Sequence, residues 1–132
     1  MLLYIIYNLD LVDVTKKEER ELTLTFVDDT TLVIVGKTFE ETHRKLKDIM
    51  ERQGGVYEWS ANHNSHFETS KFKLIDFSLN RSRHHPDMIL RGVTIKSSAT
   101  HKFLGVILDN ELCWKAHAAY TTAKGASYTI LL

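Results

Sequence analysis

The sequence predicts an α+β fold: a small antiparallel sheet, a long helix packed on one face of it, and a second helix at the C-terminal end. Three observations lead to this prediction. Two short apolar and β-branched runs, Leu22 to Val27 and Thr31 to Val35, flank an acidic pair without helical spacing, which indicates a hairpin. A capping pattern and an amphipathic stripe follow the hairpin. Short strand-like runs and a final helical segment complete the chain.

Length and composition restrict the class of protein. The chain has 132 residues and is 43% hydrophobic, which is enough for one modest core and one domain. Lys plus Arg and Asp plus Glu each number 17, so no overall positive charge indicates nucleic-acid binding, although a local basic groove stays open. The single cysteine, Cys113, excludes an internal disulfide and a cysteine zinc site. The apolar run after Met1 fits neither a signal peptide nor a membrane span.

Asp28 and Asp29 lie at the tip of the predicted hairpin. Asp is a common turn residue, which gives a purely structural reason for the pair. The alternative is chemical, because two adjacent carboxylates on a rigid hairpin offer the hard oxygen ligands that Mg²⁺ takes in phosphoryl-transfer sites. The dipeptide alone favours the turn, so the rest of the chain must distinguish the two interpretations.

Helical patterns precede and follow the hairpin. Apolar spacing predicts a short helix over residues 2 to 13, and the charge run from Lys16 to Glu21 predicts a solvated loop. Thr38 and Glu41 form a capping-box pattern at the start of the long helix. Its apolar side comprises Phe39, Thr42, His43, Leu46, Ile49 and Met50. Its solvent-facing side comprises Glu40, Arg44, Lys47, Asp48 and Glu51.

Gly54 and Gly55 interrupt this helix, and either two helices or a kinked continuation to about Asn62 fits the pattern. We favour the kinked helix. Residues Phe72 to Phe77 alternate as a strand.

The remaining chain predicts a basic loop, a small hairpin, a strand and a helix. Asn80 to Asp87 is the loop, and Met88 to Leu90 pairs with Val93 to Ile95 across Arg91-Gly92. His101 to Leu108 is predicted as a single strand in which Gly105 marks a bulge or a close backbone approach. The final helix includes Trp114, His117, Tyr120 and Tyr128.

Four segments carry one resemblance to a known family. They are the start MLLYIIYNLDLVD, the tip Phe26-Val27-Asp28-Asp29, the stretch from Trp59 through Lys71 to Phe77, and Lys102-Phe103-Leu104-Gly105-Val106 with the Trp114 and His117 that follow. Together these segments resemble the C-terminal half of the palm and the start of the thumb of reverse transcriptases from non-LTR retrotransposons. The matching features are the aromatic-x-Asp-Asp box, the KFLG primer-grip strand and the entry to the thumb. The QG motif that precedes the first helix in this family is not present.

The resemblance implies a partial palm over residues 1–110, the start of a thumb over 111–132, and two-metal nucleotidyl transfer. By family, Asp28 is a ligand of catalytic Mg²⁺, and Asp29 is a weaker, primer-side partner. Lys71 matches a lysine that assists the departing pyrophosphate, with a solvent-facing lysine at a strand edge as the equal alternative. The primer grip would be Lys102, Phe103, Leu104 and Gly105.

By the same resemblance, the partners are an RNA template, a DNA primer and deoxynucleoside triphosphates, with no membrane partner and a location in nucleus or cytoplasm. The family takes its third carboxylate and its fingers from sequence before the matching region. We therefore expect a fragment that is inactive alone, completed by the missing N-terminal half of the polymerase or by nothing. It should also expose a sheet edge and an apolar helix face.

Several other interpretations are open. A decayed or domesticated nucleic-acid-binding or protein-binding module needs no catalysis. A receiver-like Mg²⁺-binding signalling domain is disfavoured, because its acidic pair should run directly into a helix. His63-x-x-His66 and His84-His85 are interpreted as surface histidines. A local basic surface of Arg81, Arg83, Lys96 and Lys102 is weighed against ordinary solvated charges.

Overall fold

The computed structural model describes residues 9–78 and 85–130, which contain antiparallel hairpins, α-helices and short 3-10 helices. The chain divides after Thr69 into two compact units. The described strands pair only with their neighbours in sequence, as three separate two-stranded antiparallel sheets. The predicted α+β class with antiparallel pairing is therefore confirmed, but the single small sheet is wrong for the described residues. The predicted boundary between palm and thumb at residue 110 stays a prediction.

The first unit is built on one hairpin and two helices. Strands β1 (Glu21–Phe26) and β2 (Asp29–Ile34) form the hairpin, and helices α1 (Phe39–Glu51) and α2 (Val56–Asn62) follow it. The predicted helix over residues 2 to 13 lies outside the described residues as far as residue 8, and Leu9–Val14 forms a 3-10 helix. The buried apolar core of the unit comprises Leu11, Val14, Phe39, Ile49, Met50, Val56 and Trp59.

The predicted start of α1 and its Thr38 cap are confirmed, but the reciprocal bond of the capping box goes to Lys37, one residue before the N-cap. The hydroxyl of Thr38 accepts the backbone N–H of Glu41 at 3.2 Å, and the Glu41 carboxylate accepts the backbone N–H of Lys37 at 2.9 Å. The first bond satisfies a donor that the helix start leaves without a partner, and the second ties the residue before the cap to the first turn of the helix. The two predicted sides of α1 are also confirmed, since the five charged residues are exposed while Phe39, His43, Ile49 and Met50 are buried.

The predicted kinked continuation of α1 is wrong, because two separate helices are present. Arg52 leaves helical geometry with ψ at 162°, and Gly54 takes a left-handed φ of 70° that favours glycine. At Gly55 the chain turns so tightly that an added Cβ would lie 2.5 Å from the carbonyl oxygen of Ile49. The glycine pair therefore breaks the helix and starts a new one.

Strand β1 has a buried polar side and an exposed apolar side. Glu21 and Thr23 are each only 2% exposed, whereas Leu22, Leu24 and Phe26 are 42%, 46% and 58% exposed. The solvated loop predicted for residues Lys16 to Glu21 is therefore wrong at Glu21. Burial of this carboxylate is possible because Arg52, from the end of α1, forms a salt bridge with it at 2.9 Å.

The second unit contains two hairpins and the C-terminal helix. Strands β3 (Met88–Leu90) and β4 (Val93–Ile95) form the predicted small hairpin. Strands β5 (Thr100–Phe103) and β6 (Val106–Asp109) form another, and α3 (Lys115–Ile130) packs on β6. The buried apolar residues here are Leu74, Met88, Leu90 and Ile95.

Two strand predictions in this unit are wrong. Residues 72–77 do not form a strand, because only Leu74 makes a bridge, a parallel one with Ser97. The run from His101 to Leu108 is a hairpin, because Leu104 and Gly105 both take positive φ, at 47° and 86°, in a two-residue turn. In the predicted loop from Asn80 to Asp87, residues 80–84 lie outside the described part, and 85–87 form no regular element.

Candidate functional site

The acidic pair lies at the tip of an antiparallel hairpin, as predicted. Phe26 pairs with Asp29, so Val27 and Asp28 form a two-residue turn. Val27 takes a φ of 56°, a conformation that a β-branched residue rarely adopts and that is strained. Asp28 and Asp29 are both exposed. Because β2 follows Asp28 at once, the chain lacks the strand-to-helix connection that a receiver-like site would need.

The donor chemistry of the tip fits Mg²⁺ in part. Carboxylate oxygens are hard ligands, and Mg²⁺ in nucleotide-dependent enzymes usually takes one or two carboxylates together with substrate phosphates and water. Asp29 opens β2 while Asp28 belongs to the turn, and successive strand residues project to opposite faces. An ion on one face is therefore expected to take one carboxylate of the pair. Over residues 9–78 and 85–130, no group of three His, Cys, Asp or Glu side chains is placed to hold a metal ion.

The other predicted site residues lie in the second unit, at the 3-10 turn Thr69–Lys71 and at the end of the β5–β6 hairpin. Lys71 ends the 3-10 turn Thr69–Lys71 and is exposed. Lys102 and Phe103 end β5, while Leu104 and Gly105 form the turn to β6. The structure thus brings Asp28 and Asp29 together on one hairpin tip, and the four residues predicted as a primer grip together at the end of another hairpin.

Lys102 contacts an aromatic side chain from α3. Its ammonium group donates to the hydroxyl of Tyr120 at 2.9 Å and lies 4.6 Å from the centre of the Tyr120 ring. The hydrogen bond from Lys102, with the charges of Lys102 and Lys124, lowers the pKa of Tyr120. The sequence places Tyr120 and Tyr128 on the final helix and predicts no contact for them. One sequence pattern indicates that these side chains lie together: Tyr120, Lys124 and Tyr128 are spaced four residues apart, which places all three on one helix face.

Two of the predicted surface histidines, His63 and His85, are only half-buried and contact other side chains, whereas His66 is exposed. His63 stacks on Trp59 with ring centres 4.3 Å apart, and Trp59 is 7% exposed. His85 lies 3.8 Å from the buried carboxylate of Asp76. His84, Arg81 and Arg83 lie outside the described residues, and of the predicted basic surface Lys96 and Lys102 are exposed.

The described residues thus define a mixed α+β chain with an exposed acid pair on a strained hairpin turn. The chain is similar to the RNA-directed DNA polymerase from mobile element jockey of Drosophila melanogaster, with 27% identity over 100 residues. The alignment covers 76% of this chain and 10% of that relative, so the chain spans about a tenth of the relative's length. No family model and no solved structure matches the chain. The similarity supports a relationship to retrotransposon reverse transcriptases. In the described part, no helix has both the length and the apolar character needed to cross a bilayer.

Proposed function

We propose that this chain is a palm and early-thumb segment of an RNA-directed DNA polymerase of a non-LTR retrotransposon. One observation carries the proposal: the exposed Asp28-Asp29 pair lies on a two-residue turn between antiparallel strands. The similarity to the polymerase from mobile element jockey supports it independently. A turn that served only to reverse the chain would not need a β-branched residue at positive φ beside two carboxylates.

Asp28 is the proposed metal ligand, and Asp29 is the weaker, primer-side partner. When bound, Mg²⁺ would neutralise the triphosphate and activate the primer 3′-hydroxyl. Asp28 would hold the ion through its carboxylate oxygens from the turn, while Asp29, as the first residue of β2, would act from the other face. Lys71, exposed at the end of its 3-10 turn, is proposed from the resemblance alone to assist the departing pyrophosphate, with a solvent-facing lysine as the equal alternative.

The tip supplies two carboxylates, and two-metal chemistry requires a third carboxylate in this family. We therefore propose that the chain contributes part of a catalytic site and extends no primer alone. We propose that other segments of such a polymerase complete the site, with an RNA template, a DNA primer and deoxynucleoside triphosphates as partners. The end of β5 and the turn that follows it, Lys102 to Gly105, would contact the primer side.

A chimaeric polymerase tests this proposal. This chain replaces the aligned segment of the polymerase from mobile element jockey, and primer extension on an RNA template is measured with Mg²⁺. We expect Asp28→Asn to lower kcat/KM by about a thousandfold, equivalent to about 4 kcal/mol of transition-state stabilisation. Asp29→Asn should lower kcat/KM by about tenfold. Asp87→Asn, which changes another exposed acid, should have no effect.

The alternative, a binding module without catalysis, makes the opposite prediction for the same variants. In that case neither Asp28→Asn nor Asp29→Asn would change an activity of the chimaera more than Asp87→Asn does. A chimaera that synthesises DNA equally well with all three variants would contradict the proposed catalytic role.

A further inference from the structure

One polar contact between β6 and α3 depends on an uncharged imidazole. The backbone N–H of Ile107 donates to Nδ1 of His117 at 3.3 Å, and the side chain of His117 is half-buried. A ring nitrogen accepts a hydrogen bond only while it carries no proton, because both nitrogens of a protonated imidazole are donors. The bond from Ile107 is therefore incompatible with a protonated His117.

The N–H of Ile107 lies on the outer edge of β6. Ile107 pairs with Lys102 in the ladder, and the neighbouring pair, Phe103 with Val106, closes the two-residue turn. Hydrogen-bonded and non-hydrogen-bonded pairs alternate along an antiparallel ladder, so the N–H of Ile107 points away from β5. Strand β5 therefore cannot replace His117 as the acceptor of this N–H.

Few contacts hold α3 against the hairpin in the part of the chain that the structure describes. Of the described side chains of this helix, Ala116, His117 and Tyr120 are half-buried and the others are exposed. Two side-chain hydrogen bonds connect these described residues with the hairpin, the one from Ile107 and the one from Lys102 to Tyr120 at 2.9 Å. The second bond has an ammonium donor and does not need a free imidazole. Only the first responds to protonation of a histidine.

The groups around His117 do not favour its positively charged form. The titratable residues on the neighbouring elements are His101 and Lys102 on β5, Asp109 on β6, Glu111 and Cys113 in the connection, and Lys115, Tyr120 and Lys124 on α3. Among the described residues, no carboxylate lies within salt-bridge distance of His117. Asp109 instead accepts the backbone N–H groups of Cys113 and Trp114 at 2.9 and 2.8 Å. Protonation of His117 therefore removes an acceptor and provides no ion pair in return.

We propose that His117 is a pH-dependent switch, which holds α3 on the edge of β6 near neutral pH and releases the helix in mild acid. An imidazole ordinarily titrates at about pH 6.5. Because the docked ring accepts the N–H of Ile107 and binds no second proton, docking is favoured above that pH and is weakened as the pH falls below it. The docking constant should fall by about thirtyfold from about pH 7.5 to about pH 5. The switch is independent of the proposed catalytic function, because it requires neither a metal ion nor the acid pair of the first unit.

Amide hydrogen exchange of the full chain, followed by NMR at about pH 7.5 and about pH 5, tests the switch. The protection factor of the Ile107 amide, corrected for the intrinsic exchange rate at each pH, measures how often this bond opens. We expect this protection factor to fall by about thirtyfold at the lower pH. Leu90 is buried in the β3–β4 hairpin of the same unit, and the protection factor of its amide should change by less than about threefold. The comparison separates release of α3 from unfolding of the whole unit.

Three histidine variants assign the effect to one ring. His117→Asn places an amide oxygen, which accepts without titrating, at the position of Nδ1, so the protection of Ile107 should be equal at both pH values. His117→Ala should give at the higher pH the low protection that the unchanged chain has at the lower one. His101→Asn removes the neighbouring titratable ring on β5 and should leave the fall in protection unchanged.

Four results would overturn the proposal. The Ile107 amide could be unprotected at the higher pH, or its protection could be the same at both pH values. The protection of Leu90 could fall as much as that of Ile107. The fall could also persist in His117→Asn or disappear in His101→Asn, which would assign the pH dependence to another group.

Discussion

The salt bridge between Glu21 and Arg52 connects β1 to the end of α1 in the first unit. The side chain of Glu21 is 0% exposed and that of Arg52 13%. Both carboxylate oxygens accept from the guanidinium, at 2.9 and 3.3 Å, and the backbone N–H of Lys16 adds a bond of 2.9 Å. Arg52 also donates to the carbonyl of Val14. Arg52 therefore provides hydrogen bonds to both the buried carboxylate of Glu21 and the carbonyl of Val14.

Removal of that arginine should destabilise the first unit. Arg52→Met leaves a fully buried carboxylate with the Lys16 amide, and loss of one partner of a buried ion pair typically costs 3–5 kcal/mol. We expect about 3 kcal/mol at pH 7. Replacement of both partners, in E21M/R52M, should recover most of the loss, because no buried charge then remains. Arg44→Met, on the exposed side of the same helix, should change stability by less than about 0.5 kcal/mol.

The loss of stability caused by Arg52→Met should decrease as the pH falls. Burial raises the pKa of Glu21, but the hydrogen bonds from Arg52 and from the Lys16 amide, together with the charges of both, outweigh it, so the pKa lies below its ordinary value. A lowered folded pKa contributes stability that is present above the unfolded pKa and is lost as the pH falls through the folded one. The difference between Arg52→Met and the unchanged chain should therefore shrink at about pH 3.

Urea unfolding followed by the fluorescence of buried Trp59 measures this difference. A Trp114→Phe background removes the exposed tryptophan of the other unit. A cost below about 1 kcal/mol for Arg52→Met at pH 7 would refute the reasoning, since that is the range of a surface pair. An equal cost at pH 7 and pH 3 would refute the pH argument.

Two further predictions concern local backbone structure. Thr38→Ala should cost about 1 kcal/mol in urea unfolding, because it removes the hydroxyl that caps Glu41, and Thr38→Ser should cost much less; equal stability of the two variants would contradict the cap. Gly105→Ala should cost about 1 kcal/mol from the left-handed φ of 86° alone, since an added Cβ meets nothing within 4 Å. Gly125→Ala, inside α3 and also without close neighbours, should instead stabilise the protein by up to about 1 kcal/mol. Shifts in Tm of the same sign for Gly105→Ala and Gly125→Ala would contradict this account.

Local patterns predicted the elements whose signals lie within a few residues. The β1–β2 hairpin follows from two β-branched runs around an acidic pair, and the start of α1 follows from Thr38 and Glu41. The β3–β4 hairpin was predicted because Arg91-Gly92 separates two short apolar runs. In each case the turn or the cap is encoded next to the element it starts or ends.

Non-local pairing explains what the sequence did not reveal. Glu21 lies in a charge run and could be recognised as buried only through Arg52, 31 residues later in the chain. The β5–β6 turn was missed because Leu104 is a poor candidate for positive φ, so that the run from His101 to Leu108 reads as one strand. Residues 72–77 alternate like a strand but have one bridge partner, Ser97, in the described part. The contact between Lys102 and Tyr120 joins β5 to α3, and no local pattern in the sequence predicts it.

Metal rescue at Asp28 tests the central claim most directly. In the chimaeric polymerase, Asp28→Cys replaces a hard oxygen ligand with a thiolate, which binds Mg²⁺ poorly and softer divalent ions better. If Asp28 holds the catalytic ion, primer extension should be lost with Mg²⁺ and restored at least in part with Mn²⁺ or Cd²⁺, whereas Asp87→Cys should behave like the parent. Full activity of Asp28→Cys with Mg²⁺ would contradict a metal site at the hairpin tip.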